Sequence, residues 1–190
     1  MRIALAMAIG CAAMAMAAPV PNHLMKDGPS TYYPVTVGTT LVYDRGGTEE
    51  TRVISKVERV DSGRMVTTEL VKADGSRSPF HKVLLTEKGV FITERSGGKY
   101  SAPFELIRLP FKPDTKWDEI PGSPAYSTRH AIREEKMKVP AGEFNCIRVE
   151  SGGSDGRTIH WYAAGIGVVK VDYGDHVMEL KSITHSKPKN

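Results

Sequence analysis

The sequence predicts an all-β protein with little helix: a single domain on a strongly curved antiparallel sheet, a partial barrel or sandwich. Three observations predict it. Short runs rich in Val, Thr, Ile and Tyr are interrupted by turn residues every 8–12 positions, the rhythm of all-β sandwiches and barrels. The interruptions are too short for parallel crossovers, so neighbouring runs pair antiparallel. Finally, Val83-Leu84-Leu85, Leu106-Ile107 and Val168-Val169 are apolar at successive positions. Such strands are covered on both faces, as when a sheet curls over itself.

The expected strands, in order, are Thr39–Tyr43, Thr51–Val60, Arg64–Lys72, His81–Thr86, Val90–Arg95 and Phe104–Leu109, then Thr128–Val139, Glu143–Ser151, Arg157–Ala163, Gly167–Tyr173 and His176–Thr184. Asp61-Ser62-Gly63, Ala73-Asp74-Gly75, Lys88-Gly89, Ser96-Gly97-Gly98 and Gly174-Asp175 supply the turns, since Gly and Asp tolerate the backbone angles that hairpins need. In Arg157–Ala163, Ile159 and Trp161 share one face while Thr158, His160 and Tyr162 share the other, the pattern of a half-buried strand. Thr128–Lys138 is the one segment with a helical alternative. It carries too few apolar residues at 3.6-residue spacing to bury a helix face, and it is read as a long exposed strand. A short helix there, or in Gly28–Pro34, is the alternative.

The two ends read as separate from the domain. Met1-Arg2, an apolar stretch from Ile3 to Met16, and small residues in Ala15-Met16-Ala17 form a secretory signal over residues 1–17, cut after Ala17. The apolar stretch is shorter than the ~20 residues a spanning helix requires, so no membrane span is expected. Ala8-Ile9-Gly10-Cys11 offers an alternative, a lipoprotein box with a lipid anchor on Cys11, although Ile3 to Gly10 is a short apolar core for it. Residues 18–31 form a flexible leader rich in Pro, Gly, Asn and Ser. The β domain spans 32–184, and 185–190 form a tail. The implied location is periplasmic or extracellular, with lipid anchoring in the envelope as the alternative.

Charge and composition exclude several function classes. The chain has 26 basic and 22 acidic side chains, interspersed apart from a basic tail (Lys181, Lys187, Lys189). No interleaving of aromatic and basic residues points to nucleic acid. His23, His81, His130, His160, His176 and His185 lack metal-ligand spacing, so neither metal nor cofactor is expected. His160 is read as a partly exposed strand histidine, with a place in a ligand pocket as the sharper alternative. Asp172-Tyr173-Gly174-Asp175 has too few oxygens for a calcium loop and reads as a hairpin turn. With Cys11 in the export segment, Cys146 has no disulfide partner. Its apolar surroundings make it a core filler, since nothing nearby would lower its pKa.

One catalytic pattern matches by letter. Gly152-Gly153-Ser154-Asp155-Gly156 fits the G-x-S-x-G nucleophile elbow, which requires a helix after the serine. A strand follows here, so the segment reads as a hairpin loop. Gly165-Ile166-Gly167 begins like a dinucleotide loop but lacks the third glycine and the helix. No enzyme is expected.

Three segments carry a family resemblance: Tyr32-Tyr33-Pro34-Val35-Thr36-Val37-Gly38-Thr39-Thr40-Leu41-Val42-Tyr43, then Val139-Pro140-Ala141-Gly142-Glu143-Phe144 leading to Cys146 and Val149, then Trp161-Tyr162-Ala163-Ala164-Gly165-Ile166-Gly167-Val168-Val169-Lys170. In that order they resemble a family of secreted bacterial β-rich domains of unknown function, with Leu41 where tryptophan is common. The resemblance covers Tyr32 to Ile183. It implies a curved antiparallel sheet akin to the half-barrels of lipoprotein-carrier proteins, and it brings no activity and no catalytic residues. On physical grounds Pro140 belongs at a strand edge or entry, Gly142, Gly165 and Gly167 supply positive φ or close approach, and Phe144, Trp161 and Tyr162 anchor the core or line a cavity. Two functions fit: an exported envelope protein holding a hydrophobic ligand or lipid in the curved sheet, or a structural or interaction module of the envelope with a filled core and a protein partner.

Overall fold

The structure, a computed structural model, describes residues 31–120, 128–153 and 156–185. The export segment with Cys11, the leader to residue 30, Ser154 and Asp155, and the tail from residue 186 lie outside the described residues.

Twelve strands follow one another: β1 (Thr40–Arg45), β2 (Thr48–Val60), β3 (Gly63–Val71), β4 (Arg77–Thr86), β5 (Gly89–Arg95), β6 (Gly98–Arg108), β7 (Lys116–Asp118), β8 (Thr128–Val139), β9 (Gly142–Gly153), β10 (Gly156–Ala163), β11 (Gly167–Asp172) and β12 (Val177–Thr184). They form a single antiparallel sheet that is nearly closed into a barrel, with no helix among the described residues. Thr128–Val139 is a strand throughout, so the helical alternative there is not realised.

The strand order is β6-β5-β4-β3-β2-β1-β12-β11-β10-β9-β8-β7. Each strand therefore pairs with its sequence neighbour, and β1 pairs with β12. The one break lies between β6 and β7, which are consecutive in the chain yet form the two edges of the sheet. The connection between them carries Pro110 and Pro113, which have no N–H to donate to a ladder. Among the described residues, side chains and one backbone bond hold this seam. The Glu105 N–H donates to the Glu119 carbonyl at 2.8 Å, and Trp117 Nε1 donates to the Glu105 carbonyl at 3.1 Å.

β7 lies outside the expected strands, because three residues around one tryptophan carry no alternation, and β2, β4 and β6 begin earlier than their sequence pattern indicates. Those strands reach Thr48, Arg77 and Gly98 because the turns before them are tight hairpins with glycine at positive φ, at Gly46, Gly47, Gly75 and Gly97. Gly63 shows the need most directly: a Cβ there would stand 1.9 Å from the Leu85 carbonyl oxygen.

Register shifts at Val42/Tyr43, Ile54/Lys56, Thr68/Glu69, Lys82/Val83, Ala131/Arg133 and Trp161/Tyr162 bend the sheet. Each adds a residue to one strand and increases local twist, which a sheet needs in order to curl. The core then forms two continuous clusters. One joins Ile54, Val66, Val83, Ile107, Trp117 and Val149 across the seam. The other joins Leu41, Tyr43, Trp161, Val169, Met178 and Leu180 around β1, β11 and β12. On β10, Tyr162 belongs to the first and its neighbours Trp161 and Ala163 to the second, so this strand is covered on both faces.

The opening segment 31–39 is tied onto the barrel. The Gly165 N–H donates to the Thr31 carbonyl at 2.6 Å and the Gly38 N–H to the Ile54 carbonyl at 2.8 Å. Pro34 and Tyr33 lie directly over Gly167, whose Cβ would stand 3.4 Å from Pro34 Cδ.

Candidate functional site

The barrel holds a partly open cavity of about 160 Å³. Its apolar lining comes from Leu41 on β1, Ile92 on β5, Leu106 on β6, Val168 and Val171 on β11, and Met178 on β12. Its polar lining is unusual for a barrel interior. Arg52, Arg95 and Arg129 line it, as do His81, His160 and Thr68, while no carboxylate does. Tyr33, Tyr43 and Tyr162 complete the wall.

Two of the three arginines, Arg52 and Arg129, are held by carboxylates and rings. The Arg52 guanidinium lies between the rings of Tyr43 and Phe80, 4.3 Å from each centroid. Planar guanidinium stacking of this kind suits a low-dielectric interior. Arg52 Nε and Nη2 reach Glu50 Oε1 at 2.6 Å, and Nη2 also meets Met178 Sδ at 3.4 Å. Arg129 is buried and pairs with buried Glu119 through Nε at 3.0 Å. Its Nη1 donates to the Tyr162 hydroxyl at 3.2 Å and to the Leu106 carbonyl at 3.4 Å, which joins the cavity wall to the seam. Arg95, at the end of β5, is exposed, so the cavity approaches solvent beside it.

Burial sets the protonation of the wall. His81 stacks on Phe80 with centroids 3.8 Å apart. Desolvation first, then the charges of Arg52 and Arg95, lower its pKa from 6.5 to about 3. His160 stacks on Tyr162 at 5.7 Å, and burial with the Arg129 charge holds its pKa well below the ordinary histidine value. Both imidazoles are neutral at physiological pH. His81 Nε2 and His160 Nδ1 are buried without a hydrogen-bond partner among the described residues. Burial also raises the Tyr43 pKa to about 12, while its hydroxyl donates to the Val168 carbonyl at 2.9 Å. Tyr33 and Tyr162 are raised by burial as well, and the Tyr33 hydroxyl meets Thr68 Oγ1 at 2.8 Å.

Of the residues singled out from the sequence, Tyr162 and Gly167 border the cavity. Pro140, Gly142, Phe144, Trp161 and Gly165 do not. Pro140 is exposed in the tight β8–β9 turn, where Val139 pairs with Gly142. Gly142 takes a φ of 138° and Gly165 a φ of 73°. Phe144 packs half-buried on the second cluster. Trp161 is buried, and its Nε1 donates to Glu135 Oε1 at 2.5 Å, with Arg148 and Lys170 flanking the ring. His160 is half-buried, as a strand histidine, and also borders the cavity, since Tyr162 on the same face turns inward.

The remaining candidates are structural where described. Cys146 is free and buried, and desolvation raises its thiol pKa to about 12. Asp172 Oδ1 accepts the Gly174 N–H at 2.8 Å, a turn bond with no cation implied. Among the described residues no group of three or more His, Cys, Asp or Glu is placed to hold a metal ion. Ser154 and Asp155 lie outside the described residues, but β10 begins at Gly156, so the strand–turn–helix context of a nucleophile elbow is absent. No helix among the described residues is long and apolar enough to cross a membrane.

Sequence reasoning missed Arg52, Arg95, Arg129 and His81. Arg52 alternates with Glu50 and Ile54, a weak sign of a shared face, but only the pairing register shows that this face turns inward.

No protein-family model and no curated protein matches the chain. Two solved structures are similar. A putative lipoprotein from Parabacteroides distasonis aligns at a TM-score of 0.55 and 15% identity, over 83% of this chain and all of the other. A putative exported protein with YmcC-like fold from Bacteroides fragilis aligns at a TM-score of 0.52 and 14% identity, over 82% of this chain and all of the other. At these identities what is shared is the fold: the nearly closed antiparallel barrel built here from β1–β12.

Proposed function

We propose that this is a non-enzymatic protein exported to the cell envelope, and that it acts by binding a small ligand inside its barrel. The observation that carries the binding role is the interior cavity, where two buried imidazole nitrogens have no partner among the described residues. Buried polar atoms are nearly always satisfied, so such pairs of orphans are expected where a ligand or ordered water completes them. Export is supported by the apolar segment ending in Ala15-Met16-Ala17, and by two structural neighbours that carry the names putative lipoprotein and putative exported protein. The protonated, buried Cys146 thiol and the strand after Gly156 both argue against covalent catalysis.

Cavity size narrows the ligand. Drug-sized ligands occupy pockets of about 300–1,000 Å³, and this cavity of about 160 Å³ lies below that range. A whole lipid does not fit; a small molecule, or the end group of a longer one, does. The same small volume favours the second reading, an envelope interaction module whose interior is essentially filled and whose partner is a protein.

Native mass spectrometry of protein taken from its own envelope fraction separates the two. Binding predicts a small non-covalent adduct that is lost on denaturation. A ligand-free protein that co-purifies in stoichiometric amount with another envelope protein supports the second reading. Recovery of the protein with an intact leader in the cytosol would overturn the envelope assignment altogether.

A further inference from the structure

We propose that the cavity takes an organic carboxylate with an apolar body about the size of one benzene ring. This rests on the binding role proposed above and adds the chemical class of the ligand.

Size comes first. A cavity of about 150 Å³ lined by aliphatic and aromatic side chains accommodates benzene, and this one measures about 160 Å³. Leu41, Ile92, Leu106, Val171 and Met178 give the wall apolar surface for such a body. A bare inorganic anion would leave that surface without a partner.

Charge comes second. Three arginines border the cavity and no acidic side chain does. Glu50 and Glu119, which pair with Arg52 and Arg129, are not among the lining residues. The Arg52 bonds to Glu50 and Met178 run from Nε and Nη2, and its guanidinium lies against the Tyr43 ring at the cavity wall. Arg95 makes no ion pair among the described residues, so a cationic ligand would meet an unpaired positive charge at the rim. An arginine fork presents paired N–H donors that match a carboxylate. The unpartnered His81 Nε2 adds a polar atom to the same wall that Arg52 and Arg95 line.

Benzoate is the probe, titrated calorimetrically into the full exported chain, with benzamide, inorganic phosphate and dodecanoate as comparisons. Benzoate is expected to bind saturably, with one site, at least tenfold more tightly than benzamide or phosphate. Dodecanoate tests the source of the carboxylate: binding as tight as benzoate's assigns the site to the head of a fatty chain, and weaker binding assigns it to a free small acid. Arg95→Ala, at an exposed position, and Arg52→Met should each weaken benzoate severalfold or more while leaving benzamide unchanged, with thermal unfolding as the check that each variant is folded. Equal binding of benzoate and benzamide would overturn the carboxylate assignment and leave the binding role standing. Tighter binding of phosphate would overturn the apolar body. Failure of all four probes to bind would overturn the ligand class, and with no adduct in native mass spectrometry the binding role falls with it.

Discussion

At the scale of single residues, burial and backbone angle decide what each side chain does. His81 gives the clearest pH dependence. Above about pH 6.5 its imidazole is neutral in both the folded and the unfolded chain. Between 6.5 and about 3 the unfolded chain takes up a proton that the folded chain refuses, so stability falls as pH falls. Below about pH 3 the folded state is protonated too and this contribution to the slope ends. Urea unfolding at pH 7, 5 and 4 should show the decline, and His81→Gln should flatten part of it; an unchanged slope would mean that His81 is hydrated in the folded state. Gly63 and Gly75 form a second test. Both have positive φ, but only Gly63 has a neighbour in the way, the Leu85 carbonyl. Gly75→Ala should cost about 1 kcal/mol from backbone strain alone, and Gly63→Ala more than about 2 kcal/mol because β3 must also move from β4. Glycines at turns were visible in the sequence as punctuation. Which of them also sits against a neighbouring strand was not, because that depends on the register of the next hairpin.

At the scale of elements, the seam between β6 and β7 is where the sheet depends on side chains. Trp117 is buried and bonds the Glu105 carbonyl, Arg129 reaches the Leu106 carbonyl, and the Arg108 guanidinium lies 5.5 Å from the Trp117 ring. Trp117→Ala should cost about 3–5 kcal/mol. Trp117→Phe keeps the ring but loses the N–H, so it should cost about 1–2 kcal/mol for the orphaned carbonyl. Amide hydrogen exchange should place the effect: the Glu105 amide, bonded to the Glu119 carbonyl, loses protection before the amides of β9 and β10. Equal loss throughout would show that the seam unfolds only with the whole barrel. Eleven of the strands were legible as alternating or doubly apolar runs between turn residues. β7 was not, since a three-residue strand is defined by what it closes against and carries no pattern of its own.

At the scale of the whole molecule, the curvature anticipated from doubly apolar runs such as Val168-Val169 proceeds to near closure, and closure makes an interior. What that interior contains was only partly legible. Tyr162 and Gly167 stood out from the sequence and border the cavity, whereas Arg52 on β2, His81 on β4 and Arg129 on β8 meet there only because twelve strands wrap in one order. Long-range register carries that information, and no local motif records it. If this polar interior is a small binding site, a two-dimensional NMR titration of the labelled protein with benzoate reads the binding residue by residue. Saturable shifts should centre on Thr68, His81, His160 and Val171 and leave exposed Val37, Val60 and Val177 unmoved. Shifts confined to the outer surface, or none at millimolar benzoate, would contradict it.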